Sequence, residues 1–90
     1  MLVNWKNRNI TKDDNSFDLT GMINPCFQNN GQSPVLINGN LIESGDSFSI
    51  NTHGMQLQGT ATITFTDDTK TKKMICNYLV QTVSAANCHN

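Results

Sequence analysis

The chain has 90 residues, of which 37% are apolar and only 14% charged, with a formal net charge of −1. This is one small domain with a thin core, because a chain of this size buries only about 60–65% of the surface its unfolded form exposes. Near-zero charge disfavours nucleic acid, which demands clustered Lys and Arg, and no run approaches the roughly 18–20 apolar residues of a membrane helix.

The shortage of charge is made up by Asn, Thr, Ser and Gln. Disordered chains combine low hydrophobicity with high net charge, and this one lacks the charge. Its polar residues therefore read as the solvent faces of strands and turns. A thin core under a neutral polar surface calls for outside stabilisation, for which oligomerisation is a usual route.

Residues 1–16 carry Leu2, Val3, Trp5 and Ile10 without a helical stripe. They read as an extended N-terminal arm with one large aromatic, which either caps the domain's own core or lies across a neighbouring subunit. The β domain is expected over 17–83, with a polar tail over 84–90. Phe17 to Thr20 opens it; Pro25, unable to donate to a ladder, marks a strand edge, a loop or a strand start. Cys26-Phe27-Gln28 is a short strand, and Asn29-Asn30-Gly31-Gln32 a turn.

The strongest local signal is Val35-Leu36-Ile37-Asn38-Gly39-Asn40-Leu41-Ile42. Asn-Gly between two apolar runs predicts a type I′ hairpin, because both central residues need positive φ. Centring the turn there sets Ile37 opposite Asn40, Leu36 opposite Leu41, and Val35 opposite Ile42. Phe48 and Ile50 then alternate on a buried face, Met55-Gln56-Leu57-Gln58 alternates again, and Thr60 to Thr66 puts Ala61, Ile63 and Phe65 on one side and threonines on the other. Lys72 to Val83 is the longest strand. One face holds Met74, Cys76, Tyr78 and Val80, the other Ile75, Leu79 and Val83, so both faces are expected to be covered. Turns roughly 8–12 residues apart without a helical segment predict an all-β fold, a small antiparallel β-sandwich or barrel. With few charges to guard them, its edge strands are expected to be covered or paired.

Chemistry is harder to find. Cys26, Cys76 and Cys88 form no disulfide framework; the count allows one bridge and one free thiol, but three reduced thiols fit better, with Cys76 a small buried hydrophobe. His53 lies in the turn Asn51-Thr52-His53-Gly54; His89 neighbours Cys88 on a terminus where nothing would hold a nucleophile and its base in place. The Cys and His spacings are not those of zinc, and Asp13-Asp14 and Asp67-Asp68 lack the interval of a calcium loop. No P-loop or GxGxxG occurs. Asn9-Ile10-Thr11 matches a glycosylation triplet, but nothing in the sequence points to secretion. No enzyme, cofactor, metal or small-molecule substrate is therefore expected, and the chain reads as a soluble product of a reducing cytoplasm.

The run 29–48, a polar turn, a strand ending in Ile37-Asn38-Gly39, a Leu-containing strand, a glycine turn at Ser44-Gly45 and then Ser47-Phe48, resembles a segment of small virion structural proteins of tailed bacteriophages, particularly those infecting Bacteroidetes. In such proteins Pro-Gly often stands where this chain has Ser44-Gly45. The resemblance implies a multi-copy virion component made in the host cytoplasm: a decoration protein, a head-fibre base, or a connector or tail part. It carries over no catalytic residues. Together these readings give a non-enzymatic structural protein that oligomerises or docks on other virion proteins, with Trp5, Ile10, Ile75 and Leu79 as the expected contacts. The alternative is a small glycan- or peptide-binding β module.

Overall fold

The computed structural model describes residues 2–82; the tail 84–90, with Cys88 and His89, and Val83 lie outside them. Eight strands follow in order: β1 (Val3–Ile10), β2 (Asp14–Asp18), β3 (Met22–Asn29), β4 (Val35–Ile37), β5 (Asn40–Ile42), β6 (Ser47–Ser49), β7 (Thr60–Phe65) and β8 (Met74–Gln81). They form two four-stranded antiparallel sheets, β1-β8-β3-β6 (sheet A) and β2-β7-β4-β5 (sheet B). The fold is a small β-sandwich, as the turn spacing predicts.

The β4–β5 hairpin has the expected register, with Val35, Leu36 and Ile37 opposite Ile42, Leu41 and Asn40. Asn38 and Gly39 take φ of 48° and 85°, the positive pair a type I′ turn requires. Asn38 also extends the ladder. Its backbone N–H donates to the Thr62 carbonyl, and its Oδ1 accepts the Thr62 N–H at 2.8 Å.

The core lies between the sheets. Sheet A contributes Ile10, Met22, Phe27, Met74 and Cys76; sheet B contributes Phe17, Val35, Ile37, Ile42, Ala61, Ile63 and Phe65. Phe17 and Phe27 meet edge to face across the gap, centroids 5.9 Å apart.

Three local expectations change. Residues 3–10, read as an arm, are extended but belong to the domain: β1 pairs with β8 along its whole length, and Asp14–Asp18 joins sheet B. Backbone pairing needs no apolar stripe, so the sequence pattern hid these strands. Pro25 lies inside β3 rather than at its edge, where a bulge shifts the register between Ile23 and Cys26 and removes the need for its N–H. Asn24 takes φ of 50° there, its Oδ1 accepting the Thr52 N–H at 2.9 Å. Met55–Gln58 is not a strand; Leu57 alone pairs, donating to the Met22 carbonyl and accepting from Gly21 N–H.

One polar residue ties the sheets together. Asn29, fully buried at the end of β3, donates through Nδ2 to the Ser33 carbonyl (2.9 Å) and the Ile42 carbonyl (3.1 Å), and its Oδ1 accepts the Gly31 N–H. The loop after it runs flat against the 71–73 backbone, with N–H bonds from Asn30 to Lys73 and from Gln32 and Ser33 to Thr71. A Cβ on Gly31 would sit 2.6 Å from both the Lys73 nitrogen and the Thr71 oxygen. Only glycine fits that crossing. Asn29→Ala is expected to cost at least about 2 kcal/mol, the scale for leaving buried polar groups unpaired. Gly31→Ala should lower the urea midpoint similarly, because both clashes are with backbone. Equilibrium urea unfolding checks both, and wild-type midpoints would show that this crossing is not a support.

Candidate functional site

The surface that stands out is the outer face of sheet A with its free edge. Side chains alternate along a strand, and directly paired residues share a face. The β1–β8 register sets Ile10, Arg8, Lys6 and Asn4 on the inner side with Met74, Cys76, Tyr78 and Val80. Val3, Trp5, Asn7 and Asn9 lie outward with Gln81, Leu79, Asn77 and Ile75. β3 adds Ile23 opposite Leu79. Ile23, Leu79 and Trp5 therefore form one apolar row across three strands. Ile23 is buried, Leu79 half-buried and Trp5 72% exposed.

Trp5 accordingly does not cap the domain's core. Three of the four expected contacts, Trp5, Ile75 and Leu79, share this outer face. Ile10 does not: it is 6% exposed and sits in the core opposite Met74, because the inner face of β1 is covered only at that end. The sequence could not separate Ile10 from Trp5, since the sheet face of each follows from a β1–β8 register that no local motif announces. The outer face of β8, expected to be covered, carries Ile75 and Leu79 half-exposed.

The edge itself is unguarded. The Thr82 N–H donates to the Leu2 carbonyl, so even-numbered residues of this strand bond toward β8. By alternation the N–H and C=O groups of Val3, Trp5, Asn7 and Asn9 point to the free side. Among the described residues nothing pairs with them. β6 and β5 are three-residue strands and β2 carries a bulge, which are the usual ways of blunting an edge. β1 runs for eight residues without bulge or proline.

Elsewhere the arrangement offers little chemistry. A shallow cleft of about 200 Å³ opens where β1 passes to β2, with Arg8, Lys12, Asp14 and Phe17 in its walls. The Arg8 guanidinium lies 4.7 Å from the Phe17 ring centre, a cation–π contact. No nucleophile and base meet there. Among the described residues no group of three His, Cys, Asp or Glu side chains comes together to hold a metal ion, and no helix is long and apolar enough to cross a membrane. His53 is exposed in its turn at φ of 54°. Asp18 and Asp67 are held below the ordinary carboxylate range by hydrogen bonds from Thr20 and Thr69, and the Lys72 amine is raised by its bond to Asp68. All three serve exposed turns. Cys26 and Cys76 are free thiols, on opposite faces of sheet A by register.

No family model matches this chain, and no curated protein or solved structure matches it either.

Burial pushes the Cys76 thiol up to about 12. Unfolded, it titrates near 9, so the folded state holds the proton more tightly. Its contribution to stability is full below pH 9 and is lost as pH rises toward 12. Wild type should lose about 1.4 kcal/mol per pH unit more than Cys76→Ala across that window in urea titrations. Equal slopes would mean the thiol ionises freely in the folded protein.

Proposed function

We propose that this chain is a non-enzymatic structural protein of a tailed-bacteriophage virion, present in many copies as a capsid-associated decoration or head-fibre base, or as a connector or tail component. The observation that carries the reading is the open edge of β1 with Trp5 exposed beside Leu79. Single exposed apolar residues are ordinary on a monomer. Here the tryptophan stands on an unpaired strand, in line with two further apolar side chains, on a chain with almost no net charge to keep copies apart. Tryptophan is also among the side chains that anchor interfaces. The virion setting is supported by the likeness of residues 29–48 to small phage structural proteins. That segment is the β4–β5 hairpin with its flanking turns, scaffold rather than contact surface.

Assembly would then use the outer face of sheet A, while the inner face and sheet B supply the core. Trp5→Ala should weaken assembly roughly tenfold or more, the scale of a buried interface anchor. Its circular dichroism, and its urea midpoint at concentrations too low for association, should stay at wild-type values, because the indole contributes little to the core. Light scattering of the purified chain and quantitative mass spectrometry of purified particles provide the measurements. Loss of folding in Trp5→Ala, or absence of the chain from the particles, would overturn the reading.

A further inference from the structure

We propose that the free edge of β1 pairs antiparallel with β1 of a second copy of this chain about a two-fold axis at Trp5, joining two A sheets into one. The inference rests on the assembly reading above and supplies its partner and register.

Symmetric antiparallel pairing must match like-facing residues, so the axis passes at a residue position and each choice fixes every opposing pair. The two cations of β1, Lys6 and Arg8, decide among the choices. An axis at Lys6 sets lysine against the second copy's lysine. An axis at Asn7 sets Lys6 against Arg8 twice, and one at Arg8 opposes the two arginines. Like charges directly opposite destabilise a strand pair. An axis beyond Arg8 leaves only a short overlap, since the chain departs for β2 after Ile10; an axis at Asn4 is cut short by the strand's start at Val3. The axis at Trp5 gives the longest overlap free of opposed cations. It places Lys6 opposite Asn4 and Val3 opposite Asn7.

Two other features agree with this register. The backbone groups of Val3, Trp5 and Asn7 already point to the free side, so these positions become the hydrogen-bonded pairs. The two tryptophans meet on the outer face, and each apolar row continues into the other: Ile23, Leu79 and Trp5 of one copy, then Trp5, Leu79 and Ile23 of its partner.

Position 4 tests the register with opposite signs. It is exposed, so its variants leave the core untouched. Asn4→Lys puts lysine against the second copy's Lys6 and should weaken the dimer about tenfold; Asn4→Glu makes two ion pairs and should tighten it by a similar factor. Asn9→Lys lies outside the overlap and should leave the affinity unchanged. Sedimentation equilibrium of the full chain reads the constants, with circular dichroism as the folding control. The emission of Trp5, the sole tryptophan, should shift to the blue as concentration rises. A monomer at all concentrations, or a dimer indifferent to charge at position 4, would overturn the pairing. Abundant chain in purified particles alongside a monomer in solution overturns the pairing and not the virion reading. A charge-sensitive dimer absent from particles supports the pairing and overturns the virion reading.

Discussion

The sandwich depends on the buried amide of Asn29. β3 of sheet A ends at this residue and β4 of sheet B begins a few residues later, and its side chain bonds to the carbonyls of Ser33, just before β4, and Ile42, at the end of β5. A buried amide is costly unless its groups are matched. Here all are matched, so the loop has one geometry, and Gly31 lets it lie against the 71–73 backbone at a distance no side chain would permit. The same crossing brings Ser33 inside, where its hydroxyl donates to the Pro34 carbonyl and accepts the Asp67 N–H. Among the described residues no buried side-chain nitrogen or oxygen lacks a partner. A core this thin gains its single arrangement from polar matching as much as from apolar volume.

With the connections settled, the two sheets cover each other only in part. The inner face of β1 meets the core at Ile10 and leaves it by Asn4, while its outer face carries Trp5 in the open. The other edges are short or bulged, which suits strands that must not recruit neighbours. β1 differs in length and regularity, and its exposed side carries apolar residues in line with β8 and β3. A domain that blunts three edges and leaves one long edge bare concentrates its capacity for association there. That physical asymmetry underlies both the structural role and the self-pairing proposed above.

Much of the fold was legible from local chemistry. Asn38-Gly39 announces its turn because few dipeptides tolerate two positive φ angles in a row, and the register of Val35–Ile42 follows from the turn alone. Ala61, Ile63 and Phe65 alternate against threonines because one face of β7 is wet. Cys76 sits in an apolar strand and is buried as such. The pattern failed where pairing, not side-chain character, makes the strand. Asn4 to Asn9 is polar on both faces apart from Trp5 and is nevertheless a full partner of β8. Pro25 is accommodated mid-strand by a bulge held through Thr52, a residue 27 positions away.

The sequence by itself determined the strand-and-turn grammar: an all-β chain with one hairpin of known register, a thin core and too little charge to repel its own kind. Turn conformation and side-chain alternation are local properties, so they can be read residue by residue. Only the tertiary structure decided that the N-terminal segment is an edge of sheet A, that Ile10 turns into the core while Trp5 turns away, and that Ile23, Leu79 and Trp5 stand in one row. Those facts are set by which strands, far apart in the chain, share a ladder and in what register. That choice is made by the summed packing and hydrogen bonding of the whole sandwich.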